Sequence, residues 1–420
     1  MTYTKVSLPY GHGSLPVEIP TGRLLGSFSP EARAVTDDEE SLLREALEAP
    51  IGTPRLRDLA HAGQRVVIVT SDLTRPCPSA RLLPPILEEL AAAGISDEEI
   101  TVVVALGLHR PMTPEELEAA VGTEVWERVQ VINHDPSLTR RLGFTSAGTP
   151  VDIFAPVIDA DLRVCLGNLE FHYFAGFSGG AKAILPGCAS ADAVRANHAM
   201  MVRPTAIAGR IEDNPVRRDL EEGVALLGVD FILNVLVDGE HRVVGAVAGD
   251  VTAAHRRGCE LVAERGALSI PRLADLVLVS AGGYPKDVNL YQAQKALDNA
   301  AHAVRPGGTI LLVAECSEGL GNTTFERWLR EASSPEEILA RIGKEFVLGG
   351  HKAAAIAAVR KRAAIYLVSN LPADPVENVG IRVFDDLVRA TAEALSELGA
   401  EAQVLLLPEG GSILPQLADI

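Results

Sequence analysis

Short apolar runs alternate with amphipathic stretches along most of the 420-residue chain. QRVVIVTSD (64–72) and EITVVVALG (99–107) have the length and apolar content of buried strands. Between them, ARLLPPILEELAAAG (80–94) has apolar residues at helical spacing and ends in glycine, and TPEELEAAVG (113–122) starts with a capping threonine. Strands and helices that alternate in this way predict parallel sheets with helices packed on them, an α/β fold.

The alternation starts afresh near Pro271, with ADLVLVSAGG as a strand, LYQAQKALDNAAHAV as a helix and TILLVAEC as the next strand. We therefore expect two α/β domains, an N-terminal one over residues 1–270 and a C-terminal one over 271–408. Residues 409–420 leave the last strand, and they either return to the first domain or stay with the second.

Two hairpins complete the predicted elements. KVSL and SLPVEI, separated by PYGHG, predict a hairpin at the N-terminus, and FILNVLVDGEHRVVGAVAG (231–249) predicts another around Asp238-Gly239. ESLLREALEA and RLRDLAHAG are helical by their apolar spacing.

Composition narrows the class of partner. A formal net charge of −18 would repel a polyanion, so nucleic acid is not an expected partner, and small substrates would meet a locally basic pocket. The five cysteines are far apart and form no CxxC pair, which argues against a disulfide framework or a thiolate zinc site. No apolar run has the length of a membrane span, and the first twenty residues lack the apolar core of a signal peptide. We expect a cytoplasmic protein with no membrane partner.

Polar clusters follow the ends of two predicted strands, where loops in this fold class bind ligands. SDLTRPCPS follows the first strand and holds Asp72 and Arg75, and an arginine there offers a forked donor for a carboxylate or phosphate. The alternative is that Arg75 pairs with Asp72 and only braces the loop. GLHRPMT follows the second strand and makes His109 a candidate base, although a lone histidine is as often an ordinary hydrogen-bonded residue.

A third loop, GNLEFHYFAGFSGGAKAILPG (167–187), is rich in glycine and resembles a phosphate loop. Its glycines allow close backbone approach, so Gly179, Gly180 and their neighbours are candidates to line an anion or a flat ring. A nucleotide phosphate loop reads GxxxxGK[ST], but here Ala181 replaces the second glycine and Ala183 replaces the hydroxyl residue that would hold magnesium. ATP hydrolysis is therefore disfavoured.

The lysine of this loop, Lys182, has apolar neighbours, which would desolvate its amine and make it more nucleophilic. The alternative is a solvated lysine at the start of a helix. His172 precedes the loop's glycines and His198 follows in ADAVRANHAM, so two imidazoles and one amine could converge. Their spacing is not a metal motif, since zinc would need a third or fourth protein ligand.

The second domain contributes a strand end followed by a helix, SAGGYPKDVNLYQAQKA. Tyr291, Gln292 and Lys295 are close enough in the helix to face one site. The alternative for Lys295 is a solvated helix lysine. His351 and Lys352, in GGHKAAAIAAVRKR, are interpreted as solvated surface at a helix start.

Together these segments resemble the nickel-pincer lactate racemase family. SDLTRPCPS, GLHRPMT, the glycine loop, the ANH of the next helix and GGYPKDVNLYQAQKA occur in the family's order, and the likeness covers nearly the whole chain. The resemblance implies two α/β domains with mostly parallel sheets that face each other across an active-site cleft. It implies a 2-hydroxy acid racemase or epimerase, in which hydride passes from Cα to the cofactor through a 2-keto acid.

The implied cofactor is nickel held by pyridinium-3-thioamide-5-thiocarboxylic acid mononucleotide, which cofactor-biosynthesis proteins must supply. By resemblance, Lys182 forms the covalent tether, His198 is the protein ligand to nickel, and His109 and His172 are the two bases. Arg75, Gln292 and Lys295 would hold the substrate carboxylate. The remaining cofactor-pocket residues by resemblance or loop position are Asp72, Arg75, Gly179, Gly180 and Tyr291.

One departure bears on the substrate. The family's lactate racemase has a tryptophan beside the substrate pocket in the second domain, whereas the only tryptophan here after Trp126 is Trp328, with no firm alignment. The 2-hydroxy acid is therefore left open between lactate and a larger or more polar one. Two alternatives stay open at this point: a two-domain protein that binds a small carboxylate without catalysis, and a nucleotide-dependent transferase.

Overall fold

A computed structural model describes residues 2–29, 38–238, 241–344 and 346–418. The chain divides into two compact units. The described residues of Arg33–Glu264 form one, here called the catalytic unit, and those of Met1–Ala32 and Arg265–Ile420 form the other, here called the terminal unit.

The strands are β1 (Tyr3–Tyr10), β2 (Gly13–Pro20), β3 (Leu24–Ser27), β4 (Val66–Ser71), β5 (Ile100–Ala105), β6 (Gln130–Asn133), β7 (Thr139–Phe144), β8 (Pro150–Phe154), β9 (Leu162–Asn168), β10 (Phe171–His172), β11 (Gly176–Phe177), β12 (Phe231–Val237), β13 (Val243–Gly249), β14 (Ala267–Ile270), β15 (Ala274–Ser280), β16 (Val304–Val313), β17 (Ala364–Val368), β18 (Ile381–Phe384), β19 (Val404–Leu407) and β20 (Leu414–Leu417).

The α-helices are α1 (Glu39–Glu48), α2 (Leu56–Leu59), α3 (Ser79–Ala92), α4 (Pro114–Val121), α5 (Thr123–Arg128), α6 (Ala155–Asp159), α7 (Ala191–Ala199), α8 (Pro215–Ala225), α9 (Ala253–Gly266), α10 (Leu290–Ala300), α11 (Thr323–Glu331), α12 (Pro335–Lys344), α13 (Gly350–Arg362), α14 (Asp374–Glu377) and α15 (Leu387–Leu398). None of them, within the described parts of the chain, has the length and apolar character needed to span a bilayer.

The catalytic unit is built on a six-stranded sheet in the order β13-β12-β9-β4-β5-β6. Its strands are parallel except for β13, which runs antiparallel to β12. Both faces are covered, because Val66 and Ile68 of β4 pack into one apolar cluster while Val67 and Val69 pack into another. A sheet buried on both faces explains why its strands are continuous apolar runs.

The sheet order brings three loops together. β4 lies between β5 and β9, and all three strands run in the same direction. The loops that follow them therefore start at one edge of the sheet, although the first and last of these loops lie about a hundred residues apart in the chain. This carboxyl edge is where ligands bind in open α/β sheets.

The terminal unit contains a six-stranded parallel sheet in the order β18-β17-β16-β15-β19-β3. Alternate residues again pack on its two faces, and the hairpin β1-β2 contributes Leu8, Val17 and Ile19 to one apolar cluster. The expected α/β class with mostly parallel sheets is confirmed.

The unit boundaries differ from the expected 1–270 and 271–408. The first strands belong with the second sheet, because β3 pairs in parallel with β19 near the other end of the chain. The tail does not join the catalytic unit, because β20 pairs with β14 inside the terminal unit. These long-range pairings carry no local sequence signal.

Most predicted elements are confirmed, including the N-terminal hairpin as β1 and β2. β12 and β13 pair as expected, but Gly239 of their connection lies outside the described residues. RLRDLAHAG is helical only over Leu56–Leu59. The hairpin β7-β8, which forms a separate two-stranded sheet, was not predicted from the sequence.

Candidate active site

His109 and Asp72 meet at the ends of neighbouring strands β5 and β4. His109 Nδ1 lies 2.5 Å from Asp72 Oδ2, and the side chain of Asp72 is buried while that of His109 is about one-third exposed. The second carboxylate oxygen, Oδ1, accepts from the Thr74 backbone N–H at 2.9 Å and from the Thr74 hydroxyl at 2.6 Å. The alternative role of Asp72, an ion pair with Arg75, does not occur among the described residues.

The negative charge of Asp72 determines which nitrogen of His109 carries the proton. Burial alone would raise the pKa of Asp72, but hydrogen bonds from His109 and Thr74 act against it, and the pKa lies below the ordinary value. An ionised carboxylate only accepts hydrogen bonds, so His109 carries its proton on Nδ1. In the neutral ring, Nε2 then keeps a lone pair and has the form of a general base.

The glycine loop after β9 folds back on itself through a short ladder between β10 and β11 and then makes a 3-10 turn over Gly180–Ala183. Gly179 and Gly180 have φ of 72° and 58°, in the region that favours glycine. A Cβ on Gly180 would lie 2.6 Å from the His255 ring, and the Gly180 N–H already donates to Asn234 Oδ1 at 2.7 Å. The Gly180 amide is therefore engaged within the protein, and the assignment of Gly179 and Gly180 to a ligand site stays a prediction.

Lys182 and His172 form a direct contact within this loop. Lys182 Nζ lies 3.2 Å from His172 Nε2, and His172 Nδ1 accepts the backbone N–H of Ala175 at 3.2 Å. Because Nδ1 is the acceptor, a neutral His172 carries its proton on Nε2, and that proton points at the lysine nitrogen. The tautomer of His172 is thus the opposite of that of His109.

Charge around this pair is predominantly positive. Burial, followed by Arg217 and Arg75, holds the pKa of Lys182 well below its ordinary value, while Glu170 acts in the other direction. Burial is also the first cause that lowers the pKa of His172 well below 6.5, followed by Lys182 and Arg75. Such an excess of cationic groups fits an anionic ligand, as expected for a small-substrate site in a chain of charge −18.

Phe174 joins the three central side chains. Its ring lies edge-on to His172 at a centroid distance of 4.6 Å and to His198 at 4.9 Å, and Lys182 Nζ lies 5.6 Å from its centroid. The structure therefore brings His172, Lys182 and His198 around one buried aromatic ring. Phe174 was missed in the sequence, because an aromatic residue in an apolar run is usually core.

His198 is oriented by a buried polar chain. Its Nδ1 lies 3.0 Å from Asn197 Oδ1, and Asn197 Nδ2 donates to Asp219 Oδ2 at 2.8 Å and to Val216 O at 3.1 Å. These two acceptors fix the amide orientation, so Asn197 Oδ1 accepts and His198 carries its proton on Nδ1. Asn197 and Asp219 were also missed, since nothing in the sequence links positions 22 residues apart.

The fully buried Arg217 binds the backbone of the glycine loop. It donates to the backbone carbonyls of Ala175 at 3.2 Å and of Phe177, and its ion pair with Glu221 has an N–O distance of 3.7 Å. Arg217 lies on α8 and thus links this helix to the stretch of backbone that carries His172. Within the described residues, no group of three or more His, Cys, Asp or Glu is arranged to hold a metal ion.

Tyr291, Gln292 and Lys295 lie on α10 of the terminal unit. Gln292 and Lys295 are exposed, whereas Tyr291 is half-buried and its ring lies edge-on to Phe325. Trp328, the tryptophan considered above, is 1% exposed and belongs to the core of this unit.

Our interpretation of His351 and Lys352 as solvated surface is wrong. Both are buried on α13, and Lys352 Nζ donates to Gln294 Oε1 of α10 at 2.8 Å. Almost every residue between Gly350 and Val359 is buried, because small alanines let α13 pack against its neighbours. The run of alanines was the signal that these two polar side chains enter a core.

Comparison with known proteins relates both parts of the chain to one family. Residues 10–209 match the lactate racemase N-terminal domain, and residues 271–414 match the lactate racemase C-terminal domain. The lactate racemase of Thermoanaerobacterium thermosaccharolyticum is 35% identical over 97% of this chain and 98% of that protein. The lactate racemase of Lactiplantibacillus plantarum is 31% identical over 97% of this chain and 99% of that protein.

Solved structures agree with these matches. The lactate racemase apoprotein from T. thermosaccharolyticum superposes with a TM-score of 0.89 at 33% identity, covering 98% of this chain and all of that one. A Thermotoga maritima protein superposes with a TM-score of 0.62 at 20% identity, covering 91% of this chain and 98% of that one, and shares the fold.

Proposed function

The chain belongs to the lactate racemase family, and from that premise we propose that it interconverts the stereoisomers of a 2-hydroxy acid with a lysine-tethered nickel-pincer nucleotide. Racemases are isomerases, so the family membership already makes the chain an isomerase. The observation that carries the finer proposal is the convergence of Lys182, His172 and His198 around Phe174.

The residues present fit such a cofactor. Lys182 is a partly buried amine among cationic groups, which suits covalent attachment to an electrophile. Arg75, exposed on the loop after β4, suits the phosphate of a mononucleotide or a carboxylate. His198 has the tautomer with its proton on Nδ1, which a metal ligand bound through Nε2 requires.

Lys182 and His198 would hold the nickel-pincer nucleotide, which would supply hydride chemistry at the substrate Cα. The chain's own residues handle the proton. His109, backed by Asp72, has a lone pair on Nε2 that can remove the proton of a 2-hydroxy group. His172 presents an N–H at Nε2 that would donate a hydrogen bond to the substrate oxygen once the Lys182 nitrogen is committed to a covalent link, and it would transfer a proton to that oxygen only as the imidazolium.

Inversion requires proton exchange at two positions of the hydroxyl, and we assign one histidine to each position. We assign the substrate carboxylate to Arg75 and, from the family resemblance, to Gln292 and Lys295, whose side chains are exposed. Asp72 is assigned to orienting His109, and Tyr291 to shaping the ligand pocket.

The substrate class is a 2-hydroxy acid. Both curated relatives are named lactate racemases, so lactate is the first compound to test. The transferase alternative loses support, because the Gly180 amide is engaged by Asn234 and Ala183 stands where a phosphate loop has its hydroxyl.

The proposal is tested with protein made in a host that synthesises the cofactor. Intact mass and peptide mapping should find the adduct on Lys182, and metal analysis should find about one nickel per chain. A chiral assay of lactate and a panel of larger or more polar 2-hydroxy acids should then show loss of optical purity. An unmodified Lys182 in active protein would exclude the tether, and optical stability of every acid tested with loaded protein would exclude the activity.

A further inference from the structure

Lys182 is the sole lysine between residues 33 and 264. Every other permanently cationic side chain of the catalytic unit is therefore an arginine, which does not lose its proton in proteins. The unit offers a single side-chain amine that could act as a nucleophile, and it lies at the carboxyl edge of the sheet, in the loop after β9.

Hydrogen bonding around Lys182 favours the uncharged amine. The Ala175 N–H occupies Nδ1 of His172, so the ring's proton lies on Nε2, 3.2 Å from Lys182 Nζ. An ammonium group has no lone pair with which to accept that proton, whereas a neutral amine does. A charged lysine would place two donors against each other, so the Ala175 contact indirectly selects the amine.

The surrounding charges act in the same direction. Arg217 is fully buried and Arg75 lies on the adjacent loop, and both disfavour a positive charge on Lys182 more than Glu170 favours it. The Phe174 ring acts in the opposite direction, as Glu170 does, since an aromatic face attracts a cation. At 5.6 Å it is near the limit of about 6 Å for that interaction, so its effect is small.

We propose that Lys182 is a neutral, nucleophilic amine in the cofactor-free protein, held in that state by His172 and by the guanidinium groups of Arg75 and Arg217. The site would take an anionic carbonyl compound, whose carbonyl carbon meets the amine and whose anion is attracted by the arginines. Use of this amine for the cofactor tether rests on the proposed function, but its reactivity does not.

The chemistry can be followed with simple aldehydes. The amine adds to the aldehyde carbon, both nitrogen protons leave with the oxygen as water, and an imine forms. Cyanoborohydride then delivers hydride to the imine carbon, the nitrogen takes a proton from water, and a stable secondary amine results. Formaldehyde is small enough to reach a partly buried lysine, and peptide mapping compares Lys182 with the six other lysines, which are Lys5, Lys286, Lys295, Lys344, Lys352 and Lys361.

For cofactor-free protein at neutral pH, we expect Lys182 to react at least about tenfold faster than the exposed Lys295. Its rate should level off well below the pH at which an ordinary lysine amine does, near 10.4. Equal rates for the two lysines, or a Lys182 rate that rises with pH in parallel with that of Lys295, would overturn the proposal.

Matched variants separate the effect of His172 on the reactivity of Lys182 from the effect of burial. His172→Phe keeps an aromatic ring but removes the proton at Nε2, so the rate profile of Lys182 should move toward higher pH. His109→Phe makes the same change at the other histidine and should leave the profile in place. Identical profiles in the two variants would remove His172 from the proposal.

If His172→Phe fails to fold, nitrogen-15 spectra of histidine-labelled wild-type protein give an independent answer. Protonation of His172 at Nε2 supports the proposal, and protonation at Nδ1 contradicts it.

Attraction of an anion is tested by comparing pyridoxal 5′-phosphate with pyridoxal. We expect the phosphate to speed labelling of Lys182 in the wild type and less so in Arg75→Ala, and no difference between the two aldehydes would exclude the anion site.

These outcomes are separable from failure of the proposed function. A reactive Lys182 in cofactor-free protein that stays unmodified in a cofactor-producing host would retain the inference and exclude the tether. An unreactive lysine that nevertheless carries the cofactor would do the reverse.

Discussion

The two candidate bases sit in opposite surroundings. His109 is partly exposed and its Nδ1 faces the carboxylate of Asp72, whereas His172 faces the amine of Lys182 and has cationic neighbours. Their protons are accordingly on different nitrogens. The contrast teaches that a pair of histidines can be prepared for unlike tasks by their hydrogen-bond partners, even where both would be read from the sequence as equivalent bases.

An inversion needs a proton acceptor and a proton donor on opposite sides of the substrate. One side of the substrate needs a group ready to take a proton, and the other needs a group ready to give one. After a turnover the roles are exchanged, so each histidine must pass through both states. The hydrogen bonds seen here describe the state before the cofactor is attached.

Replacement of His109 or of His172 should have the largest effect. We expect His109→Ala and His172→Ala each to slow racemisation by about 10²- to 10⁴-fold, the usual contribution of a positioned acid or base. The exposed His61 supplies a control, since His61→Ala should retain the wild-type rate. The measurement is the chiral assay run from each enantiomer, and the two variants should differ in which enantiomer they still consume. Full activity in either one would remove that histidine from the mechanism.

Replacing Asp72 should convert His109 to the other tautomer. An amide at this position in Asp72→Asn can donate to Nδ1, which leaves the proton on Nε2 and removes the base. We expect a loss of roughly 10- to 10³-fold in kcat with little change in KM. The nitrogen-15 signal of His109 reports the tautomer directly. Labelling of Lys182 is the internal control and should not change, and an unaltered kcat would show that Asp72 does not set the state of His109.

The orientation of His198, the third histidine of the site, should depend on Asn197. Asn197→Leu has a similar volume but removes the amide oxygen that faces Nδ1 of His198 and the amide N–H that donates to Asp219 Oδ2, whose other oxygen still accepts from Thr145. Loss of an orienting partner typically lowers metal affinity about 10- to 100-fold. Nickel retained by loaded protein during titration with a chelator measures this, with thermal unfolding as the check on folding. Unchanged retention in a folded variant would exclude a positioning role for Asn197.

Replacement of His134, a buried histidine outside the candidate active site, should have the smallest effect. His134 packs edge-on against Phe154, and burial lowers its pKa to about 4. The unfolded chain, with a pKa near 6.5, therefore binds the proton first as the pH falls, so folding stability is lost between roughly pH 6.5 and pH 4. His134→Phe should reduce the loss between pH 7 and pH 5 by about 2 kcal/mol. Urea unfolding at the two pH values measures it, and an unchanged difference between them would contradict the buried neutral form.

The sequence predicted the α/β class well, because apolar runs and amphipathic helices are local signals. The family motifs also identified Lys182, His172 and His198, which do converge. The ring that joins them, Phe174, could not be found in this way, because its apolar surroundings in the sequence are those of any core residue. Which nitrogen of each histidine carries the proton was equally out of reach, since it depends on partners such as Ala175 and Asp72.

Other misses have the same origin in contacts between distant segments. Lys352 was taken as surface because a charged residue at a helix start is usually solvated, but Gln294, 58 residues earlier, accepts its hydrogen bond inside the unit. The buried chain from Asp219 to His198 is another pairing that only the tertiary fold creates.

The pairing of β3 with β19 has a consequence for synthesis of the protein. β3 lies at the edge of its sheet and its ladder partner is made about 380 residues later. At roughly 5 to 20 residues per second, the nascent segment waits some 20 to 80 s on the ribosome, and the catalytic unit has emerged in full by then. A chain released before Val404 would leave β3 with an unpaired backbone, which is the kind of edge that invites aggregation and recruits chaperones.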